Sequence, residues 1–205
     1  MPEPKLILQR RLAYAHQRSG WAFALDALAP LLRPSPPAVL LDSSIERTFA
    51  RDLDAFLRDQ RLPYRQPWIG FAHVPLEIPH GHDPSKSLLS ISRLPAWQQS
   101  LPFCLGLVTL SRHHAASIRS QFPNLPVLAL RHPTLSGAPR FNFELYLQHR
   151  QPVVKVGWWL RRLPSIHQLP LPKSRKFLLV PHTRPDNERY YRVLAPHTPL
   201  APHPP

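Results

Sequence analysis

Residue types suited to acid–base and anion chemistry recur at a few marked places in this chain. His73 follows the apolar run Trp68-Ile69-Gly70-Phe71-Ala72 and precedes Val74-Pro75. An ordinary imidazole titrates at about pH 6.5, so a histidine there can take a proton from a hydroxyl or hydrogen-bond a phosphate. Ser111 closes the run 105–110 and opens a polar stretch with helical spacing. The N–H groups at a helix start favour an anion, although plain capping is the commoner role of such a serine. His132 follows the run 126–130 and stands before Pro133. Gly157 closes 153–156 and is followed by Trp158, Trp159, Arg161 and Arg162. Glycine lets a ligand approach the backbone, and guanidinium groups suit a diphosphate.

Other combinations carry less. His80-Gly81-His82-Asp83 has the outline of a metal motif, yet nothing nearby supplies a fourth ligand, so no metal is expected. His113 and His114 open a helix and, being adjacent, diverge, which predicts an exposed face for them. No glycine-rich phosphate loop occurs, and no nucleophile elbow surrounds Ser111. Kinase, ATPase, NAD-dependent and hydrolase chemistry are thereby disfavoured, and no cofactor is expected.

The elements that must position these residues follow from periodicity. Trp21, Ala24, Leu25, Leu28 and Leu32 recur at helical spacing behind Ser19. The run 38–42 suits a buried parallel strand. Ile45, Phe49, Leu53, Phe56 and Leu57 form one stripe of a helix capped by Ser43 or Ser44. Strands are expected at 68–72, 105–110, 126–130, 153–159 and 177–180, with a helix from Ser111 bearing Ala115, Ile118 and Phe122, and weak helices near 87–92 and after Ser165. Phe141, Phe143, Leu145 and Tyr146 are expected to tuck a polar connection against the core. Alternating strands and helices imply an α/β fold: a Rossmann-like, mainly parallel sheet with helices on both faces. Ligands of such sheets bind beyond the carboxyl ends of the strands, which singles out Asp42, His73, Ser111, His132 and Gly157. The division expected is a segment 1–18, a domain 19–150, the start of a second domain 151–183, and a Pro/His-rich disordered tail 184–205.

Composition bounds the rest. The 205 residues include 28 prolines and only 6 glycines, which predicts short elements and stiff connections. The 26 Lys and Arg against 12 Asp and Glu give a net charge of +14, favouring anionic partners. Only Lys5, Lys86, Lys155, Lys173 and Lys176 are lysine, and such arginine-rich, proline-rich usage is also what a GC-rich genome produces. Cys104 stands alone and is expected to be a buried small hydrophobe. The start has no stretch suited to a signal peptide and no window approaches a membrane span, so the expectation is cytoplasmic, with contact to a membrane face at most peripheral.

The order of the pieces carries a family resemblance. Pro67-Trp68-Ile69-Gly70-Phe71-Ala72-His73-Val74-Pro75, Leu110-Ser111, His132-Pro133-Thr134 and Val156-Gly157-Trp158-Trp159-Leu160-Arg161-Arg162, spread over about residues 20–180, resemble a glycosyltransferase-like group with the GT-B fold. The resemblance implies transfer of a sugar from a nucleotide sugar to an acceptor hydroxyl across a cleft between two Rossmann-like domains. It implies His73 as the catalytic residue, Ser111 and His132 as substrate-binding residues, and Gly157, Arg161 and Arg162 at the donor phosphates. Retaining members carry two glutamates eight positions apart, whereas Glu3, Glu46, Glu77, Glu144 and Glu188 include no such pair. The expectation is therefore an acceptor-side domain with an incomplete donor side, a truncated or inactive fragment. The alternative is a non-catalytic basic protein that binds nucleic acid or an anionic surface. Its arginines are scattered without a groove or single-strand motif, which ranks nucleic acid behind a nucleotide sugar and its acceptor.

Overall fold

Apolar runs bounded by turn formers become short parallel strands. The structure is a computed structural model and describes residues 6–8, 21–32, 38–78, 82–132, 140–149, 152–157, 160 and 163–179. The chain divides into two compact units, residues 1–138 and 139–205, so the helix near 143–148 belongs with the second unit.

The first unit is built on five strands, β1 (Leu6–Leu8), β2 (Val39–Asp42), β3 (Trp68–Ala72), β4 (Cys104–Thr109) and β5 (Val127–Ala129). All neighbours pair in parallel and the spatial order is β1-β2-β3-β4-β5. Helix α1 (Trp21–Leu28) lies between β1 and β2 in the chain, and a π-helical turn, Arg47–Arg51, leads into α2 (Leu53–Arg58). Between β3 and β4 come α3 (Leu88–Ile91) and α4 (Pro95–Ser100), and α5 (Arg112–Gln121) joins β4 to β5. Ser87 caps α3 by accepting the Ser90 amide at 3.1 Å, and α4 starts with proline at its first position.

Register shows which face is covered. Leu40 pairs with Trp68, Gly70 with Leu107 and Ala72 with Thr109, so Leu40, Trp68, Ala72 and Leu107 share one face. These four form a single core with Phe49, Phe56, Leu88, Ile91, Trp97 and Ile118. The connections after β2, β3 and β4 therefore all pack on that one face. The parallel sheet with flanking helices agrees with the expected α/β architecture, and on the opposite face Leu41 and Val108 are buried as well. An aromatic cluster fills the centre, with Phe49 5.1 Å from Trp97 and Trp68 5.2 Å from Tyr64, ring centroid to centroid. The Trp68 indole N–H donates to Ser100 O at 2.8 Å, and the Ser100 hydroxyl accepts the Tyr64 amide at 2.8 Å.

Two glycines are required by this packing. A Cβ on Gly70 would lie 2.5 Å from Ile45 Cγ2 and 2.8 Å from the Trp68 ring. Gly106 sits where the β3–β4 register slips, with Trp68 opposite Cys104 but Ile69 opposite Gly106, and has φ +155° beside the Pro126 carbonyl. Cys104 packs against the core, and burial pushes its thiol up to about 11. Leu57, expected on the inward stripe, is 44% exposed, because Phe56 takes the inward position and adjacent helical residues point about 100° apart.

In the second unit β6 (Val153–Val156) pairs in parallel with β7 (Lys176–Leu179). Ser165 lies inside a 3₁₀ turn, Leu163–Ile166, and accepts a hydrogen bond from Lys155 Nζ at 3.1 Å. Helix α6 (Phe143–Gln148) does not tuck its apolar residues inward as expected: Phe141 is 74% exposed and Phe143 59%. Phe141, Phe143, Leu145 and Leu147 alternate, so a helix cannot gather them on one face; the aromatic rings pack on one another instead, Phe141 5.8 Å from Tyr146. Among the described residues no helix is long and apolar enough to cross a membrane.

Candidate functional site

Parallel strands bring the residues that follow them to one rim. At the carboxyl ends of β3, β4 and β5 lies a cavity of about 600 Å³ whose lining includes His73, Ser111 and His132, three of the strand-end residues singled out from the sequence. His113, His114, Ser117 and Glu77 line it as well.

His73 is held from two sides. Its backbone amide donates to Glu46 Oε1 at 2.7 Å, and the next amide, Val74, donates to the same oxygen at 2.8 Å. Glu46 is 5% exposed, so the carboxylate clamps the turn after β3 from within the protein. The His73 ring meets Ser43 O through Nε2 at 2.8 Å. A carbonyl only accepts, so Nε2 carries the hydrogen and Nδ1 is the basic nitrogen of the neutral ring. Burial raises the Glu46 pKa, opposed by the Val74 amide, a positive charge on His73 and the His73 amide. Glu46 was not among the sequence candidates; its place in the first turn of a helix says nothing of a turn 27 residues away.

Ser111 acts first as a cap. Its Oγ accepts the His114 amide at 3.0 Å, and Thr109 Oγ1 donates to Ser111 O at 2.9 Å. His113 and His114, expected on an exposed face, also line the cavity, because the first turn of a helix that follows a parallel strand stands beside the carboxyl rim. His113 is exposed and His114 half-buried. Burial, together with positive charge on His73 and His113, lowers the His114 pKa. Its Nε2 is buried without a hydrogen-bond partner among the described residues.

Asp42, at the end of β2, is 2% exposed and accepts from Tyr64 Oη at 3.0 Å and from the Ser44 amide at 3.0 Å, a structural anchor rather than a lining residue. Gly157 follows β6 with φ +76°, a left-handed conformation that favours glycine, and a Cβ there would meet nothing within 4 Å. It belongs to the second unit, while Trp158, Trp159, Arg161 and Arg162 lie outside the described residues. His80 also lies outside them; Asp83 caps a 3₁₀ turn by accepting the Ser85 amide at 2.9 Å, and the Ser85 hydrogen bonds lower its pKa. Among the described residues no three His, Cys, Asp or Glu side chains are grouped to hold a metal ion. No family model, curated protein sequence or solved structure matches this chain.

Proposed function

We propose that the chain serves glycosyl transfer from a nucleotide sugar to an acceptor hydroxyl, with residues 1–138 as the acceptor side. The observation that carries this reading is the meeting of His73, Ser111 and His132 on one cavity at the carboxyl rim of a parallel sheet, where α/β proteins bind ligands. His73 Nδ1 takes the acceptor proton as the hydroxyl oxygen bonds to the anomeric carbon. The bond from that carbon to the donor phosphate breaks, and the nucleoside diphosphate leaves with the electron pair. The imidazolium formed is oriented by the Ser43 carbonyl and faces the field of Glu46. Gly157, Arg161 and Arg162 would serve the donor phosphates, as the family resemblance implies.

The experiment is nucleoside diphosphate release from a panel of UDP- and GDP-sugars in the presence of hydroxyl acceptors. A positioned general base is worth about 10²–10⁴-fold, so His73→Ala lowers turnover by at least about 100-fold while the circular dichroism spectrum is kept. A net charge of +14 also suits a non-catalytic protein for nucleic acid or an anionic surface. No release from any donor, with nucleic-acid binding that falls steeply as salt rises, would favour that second reading and end the first.

A further inference from the structure

The cavity holds more imidazoles than a single base requires. His113 and His114 come from the first turn of α5, His132 from beyond β5 and His73 from the turn after β3, and all four line one space. Among the described residues the lining supplies a single carboxylate against them, the exposed Glu77, and Glu46 lies behind His73 with Oε1 turned to backbone amides. The start of α5 adds the amides of Arg112 and His113, ahead of the first bond within the helix, Ala115 N–H to Ser111 O at 3.1 Å. Helix starts carry partial positive charge and N–H groups without intrahelical acceptors. The buried Nε2 of His114 has no hydrogen-bond partner among the described residues, and a buried polar nitrogen in that state calls for a ligand or water to satisfy it.

We infer that this cavity binds a phosphomonoester dianion, its oxygens set among His113, His114 and the first amides of α5. On the transfer reading, on which this inference rests, the acceptor is then a phosphorylated compound whose hydroxyl reaches His73. The space of about 600 Å³ is of the size that takes a small organic ligand. The same phosphoryl chemistry is offered by a soluble sugar phosphate and by a lipid phosphate headgroup. The groups that set its pH dependence are His73, His113, His114 and His132, with Arg112 at the helix start and Glu46 and Glu77 as the carboxylates. Positive charge on His73 and His113 disfavours protonation of His114; a dianion among them reverses that balance, so binding takes up protons.

Calorimetric titration of the full chain with sodium sulfate tests this, because sulfate stays dianionic and only the protein titrates. At constant ionic strength, binding tightens about tenfold or more from pH 7.5 to pH 5.5. His114→Gln and, separately, the exposed His113→Gln each weaken it about tenfold at the lower pH, whereas Arg58→Gln on α2 leaves it unchanged. Glucose 6-phosphate displaces sulfate and glucose does not. Capture on phosphatidate vesicles, reversed by sulfate, would assign the phosphoryl group to a lipid; displacement by glucose 6-phosphate without capture assigns it to a soluble compound. Sulfate binding that ignores pH and both histidine variants, or glucose binding as well as glucose 6-phosphate, overturns the inference. A sulfate site with these properties in a chain that turns over no nucleotide sugar keeps the dianion site and removes the transfer reading. Turnover without such a site does the reverse.

Discussion

Glu46 and the imidazole of His73 are 27 positions apart in the chain, yet the amide of His73 and its neighbour Val74 both end on one carboxylate oxygen. Removing the acceptor strands two N–H groups, one of them buried, each of which costs about 1–3 kcal/mol when unsatisfied. Glu46→Ala is therefore expected to lower stability by roughly 2–4 kcal/mol in urea denaturation, while Glu46→Gln, which keeps an oxygen there, costs much less. The pH dependence has a definite sign. The Glu46 pKa is higher in the folded protein than its ordinary 4.5, so the folded state binds the proton more strongly. Its contribution to stability is present below pH 4.5 and is lost as pH rises through the raised value. Measured against Glu46→Gln, the wild-type urea midpoint falls over that interval; a midpoint difference that grows in favour of the wild type contradicts the assignment. Ser111 makes a second case. Ser111→Ala loses a cap worth about 1 kcal/mol, whereas Ser111→Asp restores the cap and places a negative charge on the cavity, so stability returns while sulfate binding weakens. His73, Ser111 and His132 could be picked from the sequence because each follows an apolar run. Asp42 follows an apolar run too, yet it is buried as an anchor, and the roles of Glu46 and His114 could not be read, since they depend on which loops meet.

At the scale of elements, short prolines-bounded runs and helical stripes translate directly into β2 to β5, α3 and α5, because a buried strand needs a continuous apolar run and an amphipathic helix needs a 3.6-residue stripe. What the runs do not encode is their order. Strand neighbours are set by crossover direction, and the same five runs are compatible with helices on both faces or on one. Helix α4 is not legible in the sequence because a six-residue helix shows too little periodicity, although proline at its first position is a start signal. The alternation of Phe141, Phe143, Leu145 and Leu147 was misleading for a related reason: their hydrophobicity promised burial, while the helical backbone disperses them. The β3 strand meets the Ile45 turn and β4 closely over Gly70. Gly70→Ala places a methyl group against Ile45, Trp68 and Leu107 at 2.5–3.1 Å. Overpacking of this kind costs about 1–3 kcal/mol, so the guanidinium midpoint is expected to drop; an unchanged midpoint would mean that the sheet and helix layers are looser than described.

For the whole molecule, the main hydrophobic cluster lies within the first unit, from Ile7 to Val127. A chain of residues 1–138 is accordingly expected to unfold in one cooperative transition without the rest, and a gradual, non-cooperative melt would contradict that. The +14 charge of the complete chain makes weak anion association a property of its whole surface, so a functional site has to be recognised by residues, not by affinity alone. The most direct measurement is histidine-resolved NMR of the full chain, titrated with a phosphorylated acceptor such as glucose 6-phosphate. The account predicts that the signals of His73, His113, His114 and His132 move together along one binding curve while His149 and His167 stay in place. Movement confined to His149 and His167, or four cavity histidines that respond at unrelated concentrations or not at all, would contradict it.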